Sequence, residues 1–207
     1  MDQSRRRLIA LGLAAPLVLP VSGLLAGCER LTAPAAFKGI DITGAEYARG
    51  FDLPDADGKR RRLADFKGKL VVVFFGYTQC PDVCPTTLLE LAQIKKEMGA
   101  AGAQVQGVFV TVDPERDTGA VLKAYVAAFG PDFVALRGTP DETKAVAKAF
   151  KIFYAKVPGK TESSYTVDHT ARSYVYDTRG RLRLATRYGA GAEALASDLR
   201  QLLNEKG

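Results

Sequence analysis

The chain has 207 residues, 47% hydrophobic and 25% charged, with three cysteines, a single histidine and no tryptophan. That balance fits one ordinary globular domain and excludes a repetitive or low-complexity architecture. The formal charge of +6 falls to about +4 once the three arginines and one aspartate of residues 1–27 are set aside, too small an excess to suggest nucleic acid as a partner.

Arg5-Arg6-Arg7 precedes an apolar run from Leu8 to Val21, and Leu25-Ala26-Gly27-Cys28 follows. A basic start, an apolar stretch and small residues before a cleavage point make residues 1–27 a signal peptide. Its end looks like a bacterial lipobox, in which Cys28 is lipidated and begins the mature protein. Ser4 to Ile9 also resembles a twin-arginine export signal. An uncleaved anchor is the alternative, but Pro16, Pro20 and Ser22 make the run a poor helix. Either route places the domain on the outer, periplasmic face of the inner membrane, and the diacyl group of a lipoprotein makes such anchoring stable. Residues 28–45 read as a tether. Residues 46–207 read as the folded domain.

Within the domain, Ala48–Leu53 and Arg61–Leu63 flank Asp57-Gly58, a hairpin-turn signal. Arg60-Arg61-Arg62 is a basic cluster without interleaved aromatics and reads as a solvated hairpin face. Leu70–Phe75 is a β-branched apolar run, a buried central strand that breaks at Gly76. Thr86–Met98 has apolar residues at helical spacing, and Pro85 suits its first turn. Val105–Thr111 reads as a second core strand, and Gly119–Phe129 as a helix stopped by Gly130-Pro131. Asp141–Phe150 gives a third helix with an acidic start, and the polar stretch Pro158–Thr166 a loop. Ser173–Asp177 and Leu182–Thr186 flank Thr178-Arg179-Gly180 as a second hairpin, before an amphipathic helix, Ala192–Asn204. This order is that of an α/β, thioredoxin-like fold: a mixed central sheet flanked by helices, with an added N-terminal hairpin.

With Cys28 in the lipobox, Cys80 and Cys84 are the only thiols of the domain. They lie on a loop entering a helix N-terminus, where free N–H groups and the macrodipole stabilise a thiolate. If the first turn begins near Cys80, a separation of four puts both sulfurs on one face. Two soft thiolates side by side suit Cu(I) or close into a disulfide. A purely structural disulfide would add little, because so short a loop removes little unfolded-state entropy. His169 falls in a loop that a thioredoxin-like fold lays against the cysteine loop. Two thiolates and one imidazole suit copper in both oxidation states, Cu(II) gaining most from the nitrogen. Zinc is the alternative, with one position left open. Three residues rather than two separate the cysteines, and no proline precedes the hairpin strand. Both departures from thioredoxin favour a metal over general disulfide exchange.

Three ordered motifs, Cys80-Pro81-Asp82-Val83-Cys84-Pro85, Thr111-Val112-Asp113-Pro114-Glu115-Arg116-Asp117-Thr118 and Val167-Asp168-His169-Thr170, resemble those of the Sco/SenC copper proteins. The likeness runs from about Phe51 to the C-terminus. It implies a copper chaperone that assembles the binuclear CuA centre of cytochrome c oxidase subunit II, with Cys80, Cys84 and His169 as the ligands. Asp113, Arg116, Asp117 and Asp168 are then expected to support the ligands or meet a docking partner. Read from the residues alone, Asp113 and Asp117 would cap the following helix, with Arg116 as their ion-pair partner. A periplasmic copper donor or thiol reductant is a further expected partner.

Two functions of different class compete. One is a non-enzymatic carrier that passes copper by ligand exchange. The other is a thiol–disulfide reductase that keeps the oxidase's copper-site cysteines reduced, using Cys80 and Cys84 catalytically. A peroxidase ranks below both, because the Pro-x-x-x-Thr-x-x-Cys pattern is absent.

Overall fold

The computed structural model describes residues 36–161 and 164–205. The signal peptide, Cys28 and the first part of the expected tether lie outside the described residues. The strands are β1 (Ile40–Asp41), β2 (Asp52–Pro54), β3 (Arg60–Arg62), β4 (Leu70–Gly76), β5 (Val105–Thr111), β6 (Val134–Leu136), β7 (Tyr154–Pro158), β8 (Tyr165–His169), β9 (Arg172–Tyr176) and β10 (Leu182–Arg187). The helices are α1 (Val83–Glu97), α2 (Gly119–Ala127), α3 (Pro140–Ala149) and α4 (Ala192–Asn204).

β4 is buried along its whole length, and its side chains alternate between two cores as period-2 geometry requires. Leu70, Val72 and Phe74 meet Leu88, Leu91 and Ile94 of α1, Leu122 and Val126 of α2, and Leu199 and Leu202 of α4. Val71, Val73 and Phe75 face the opposite core, with Leu53 of the β2–β3 hairpin and Val146 of α3. β4 pairs in parallel with β5, and β5 with β6; on its other side β4 pairs antiparallel with β9. The sheet is therefore mixed, in the order β1-β10-β9-β4-β5-β6, with helices on both faces. The thioredoxin-like arrangement read from the element order is the one observed.

Three strands after β5 escaped the periodicity. β6 has only three residues, and β7 and β8 form a separate two-stranded sheet outside the main one. β7 is largely exposed and interrupted by Lys156 and Pro158, so it lacks an apolar signature. His169 is consequently the last residue of β8, in register with Tyr154, rather than part of a loop.

Ile40–Asp41, within the segment read as tether, pairs with β10 at the sheet edge. Just before it, the Lys38 and Gly39 amides donate to the buried Asp198 carboxylate of α4 at 2.8 and 2.7 Å. In the basic cluster Arg60 and Arg62 both bond Asp52, Arg60 also reaches Glu142, and Arg61 bonds Asp55, so all three guanidinium groups have carboxylate partners. No described helix is long and apolar enough to cross a membrane.

Candidate metal centre

The site forms where the central strand ends. β4 stops at Gly76, the loop 77–82 carries Cys80, and Cys84 is the second residue of α1. The helix starts at Val83, so Cys80 lies outside its first turn and the two sulfurs converge from loop and helix. Pro85 sits in that first turn, where an absent N–H costs nothing. β8 alternates, with Tyr165, Val167 and His169 inward and Thr166 and Asp168 outward. That alternation brings the His169 Nε2 to 3.4 Å from the Cys84 Sγ. The ligand atoms of Cys80, Cys84 and His169 all lie within 4.8 Å of one another, the one such cluster found among the described residues.

Cys84 is fully buried and Cys80 half-buried. Burial pushes the Cys84 thiol far above the ordinary thiol range, against a backbone hydrogen bond from Tyr77 that lowers it. Burial also holds the His169 imidazole below its usual range, so the ring is neutral and has a lone pair to offer. A metal held here would displace the proton of the Cys84 sulfur rather than one from the ring. The ring is fixed by edge-on contacts with Tyr77 at 6.0 Å and Phe74 at 6.1 Å. Soft sulfur plus imidazole is a donor set that fits copper or zinc, and it does not fit hard cations.

Gly76 makes room for the buried sulfur. A Cβ on it would lie 2.6 Å from Cys84 Sγ and 2.9 Å from Phe109 Cε2. Gly76→Ala is therefore expected to destabilise the domain by about 1–3 kcal/mol through overpacking, and to weaken metal binding by displacing Cys84. Thermal melting and a copper titration of the variant check both effects.

The second motif braces the site from behind. Arg116 Nε donates to Asp113 Oδ2, and its Nη1 donates to Gln79 Oε1 at 3.0 Å and to the Tyr165 carbonyl at 2.8 Å. The guanidinium lies 3.5 Å from the Tyr165 ring centroid, and the Tyr165 hydroxyl donates to Asp113 Oδ1 at 2.9 Å. One side chain thus joins the cysteine loop to the strand that carries His169. Asp117 is fully buried and accepts from the Thr78 amide at 3.1 Å, the Thr78 hydroxyl at 2.6 Å and the Thr111 hydroxyl at 2.5 Å. Burial raises its carboxyl above the usual range, opposed by those bonds.

Neither aspartate caps α2. Thr118 does so, accepting from the Val121 amide, while Asp117 is spent on the cysteine loop. The Asp113–Arg116 ion pair read from the sequence is present. Asp168 is exposed, on the face of β8 opposite His169, which takes it away from the ligands. Gln79 and Tyr165 were missed. Their signal lay in adjacency to Cys80 and in the even spacing 165, 167, 169.

The SCO1/SenC family model matches residues 41–204. The chain belongs to the SCO1/SenC family. A SCO2-like protein of Rickettsia felis is 38% identical over 132 residues, 63% of this chain and 64% of that one, so the match spans less than two thirds of that relative's length. Bradyrhizobium japonicum ScoI, solved with copper bound, is 40% identical, with a TM-score of 0.67 over 74% of this chain and 97% of that one. A SCO1/SenC family lipoprotein from Bacillus anthracis aligns at 25% identity and a TM-score of 0.61, over 75% of this chain and 94% of that one. BsSco, a member of the Sco family of cytochrome c oxidase assembly proteins, shares the fold at 22% identity and a TM-score of 0.60, over 81% and 99%.

Proposed function

We propose that this chain binds copper through Cys80, Cys84 and His169 and delivers it to the CuA centre of cytochrome c oxidase subunit II during assembly. The convergence of two sulfurs and one neutral imidazole within 4.8 Å carries this reading. The copper-bound ScoI relative and the oxidase-assembly role named for BsSco support it. Cu(I) is held chiefly by the thiolates, and Cu(II) needs the nitrogen as well. Of the two thiols, Cys80 is the one a partner can reach, so transfer begins by exchange of its sulfur for an incoming thiolate of the acceptor. Cys28 lipidation holds the domain at the outer face of the inner membrane, a reading that the Bacillus anthracis lipoprotein relative supports.

The half-buried Cys80 in front of a buried Cys84 also favours a second reading. There, the Cys80 thiolate attacks a disulfide of subunit II, and Cys84 resolves the mixed disulfide. Two electrons pass to the substrate, and Cys80 and Cys84 are left as a disulfide. Mixing the copper-loaded chain with a reduced, copper-free subunit II fragment separates the two. The carrier reading expects the CuA absorption to appear as copper leaves the donor. Failure of transfer to a fully reduced acceptor, alongside reduction of an oxidised acceptor by the chelator-treated chain, would replace it with the reductase.

A further inference from the structure

Phe153 is the most exposed large apolar side chain among the described residues, at 66%, and Tyr188 is 41% exposed. Both border the end of the molecule that carries the metal centre. The Phe153 amide donates to the Thr170 hydroxyl at 3.0 Å, and its carbonyl accepts from the Thr170 amide at 2.9 Å. The Tyr188 amide donates to the Ala171 carbonyl at 3.2 Å, and the Tyr188 hydroxyl reaches Asp82 of the cysteine loop at 3.4 Å. Phe153 and Tyr188 are thus tied to the two residues that follow His169. Aromatic side chains left in water beside a working site are the composition of a protein interface.

Two cations lie next to them. Arg172 and Arg187 stand directly opposite each other across β9 and β10. Neither has a carboxylate partner among the described residues, unlike the three arginines of the β2–β3 hairpin. Lys151, its ammonium 4.1 Å from the Tyr47 ring centroid, adds a third charge on this side, because Tyr47 packs edge-on against Tyr174, two residues along β9 from Arg172. Like charges directly opposite in a sheet are destabilising. A carboxylate brought by another molecule turns that repulsion into charge-assisted hydrogen bonds, for which the guanidinium fork is shaped.

We propose that Phe153, Tyr188, Arg172 and Arg187 form the face on which the copper acceptor docks, and that the acceptor presents carboxylates to the two arginines. The proposal rests on the carrier reading and adds where the partner sits and what chemistry it shows there. The position favours a protein over anionic lipid as the occupant. The face runs into the loop bearing Cys80 and the strand bearing His169, and a partner that exchanges copper has to cover both. Aromatic anchors slow release of such a complex, and charges at its rim speed encounter.

Stopped-flow mixing of the full, metal-free chain with a copper-free subunit II fragment reads docking without copper. Arg187→Glu places opposite charges across the strand pair. Its association is expected to slow about tenfold or more at low salt and to approach wild type as salt rises. Its Tm is expected to rise by about 1–4 °C, so a slower rate does not come from damage to the fold. Phe153→Ala is expected to speed dissociation about fivefold or more. Arg200→Glu makes the same change of charge on α4 and is expected to retain most of the wild-type rate. The chain has no tryptophan, so Phe153→Trp reports on this face alone. With the chain reconstituted in phosphatidylcholine vesicles, its emission is expected to stay in place when phosphatidylglycerol is included. Unchanged association in Arg187→Glu, equal slowing in Arg200→Glu, or a blue shift with phosphatidylglycerol, the mark of a lipid-facing surface, overturns the proposal. Docking of wild type without copper transfer sinks the carrier reading alone, whereas undiminished transfer by Arg187→Glu sinks this face alone.

Discussion

His169→Ala is expected to abolish tight Cu(II) binding while Cu(I) stays on the two sulfurs. Altering a group that merely supports a ligand lowers metal affinity 10- to 100-fold, so loss of a ligand itself should cost Cu(II) at least about 100-fold, or about 2.7 kcal/mol. Cu(I), which two thiolates satisfy, should lose less than about tenfold. The ring also fills space between Tyr77 and Phe74, so the variant should melt somewhat lower. Competition titrations with a chelator for each oxidation state measure the split. Equal Cu(II) affinity in the variant and wild type would remove His169 from the ligand set and, with it, the argument for copper over a bare dithiol.

Arg116→Met should have the largest effect on stability. Asp113 is 2% exposed, and its carboxylate keeps the Tyr165 hydroxyl as its one remaining hydrogen-bond donor among the described residues when the guanidinium is gone. Breaking a buried pair in this way costs about 3–5 kcal/mol. For a domain of this size that is a fall in Tm of roughly 6–20 °C. The double variant Asp113→Asn/Arg116→Met should recover part of that loss, because no charge is then left buried. It should not recover Cu(II) affinity, since the links to Gln79 and Tyr165 that hold the cysteine loop against β8 remain absent. Calorimetry of the three proteins with a Cu(II) titration of each gives the comparison. Full recovery of metal binding in the double variant would reduce Arg116 to a charge-balancing role.

Most of what builds the site was legible because it is local. The run Leu70–Phe75, the break at Gly76 and the helical spacing after Pro85 place both cysteines within a few residues of their observed setting. His169 was legible only through the fold. Tyr165–His169 does alternate, with Thr166 and Asp168 facing solvent and Val167 fully buried, but five residues with a single fully buried position give only a weak strand signal. The pairing with β7 that makes it a strand lies in contacts rather than composition. The same reasoning explains the misplaced cap. Asp117 and Thr118 are adjacent and both suit an N-cap. Which of them turns inward depends on Thr111, six residues before Asp117, and on the distant Thr78, which together receive the buried carboxylate. Sequence reasoning named the donors and, through the resemblance, Asp113, Arg116 and Asp117 behind them, but not Gln79, Tyr165 and Thr78, which those side chains meet.

The double capture of the Lys38 and Gly39 amides by Asp198 determines where tension entering from the N-terminal side is carried. Any pull along that segment is borne first by the clamp on α4 and the β1–β10 edge. Neither belongs to the strand bearing His169, so a load entering at Lys38 meets these contacts apart from the imidazole.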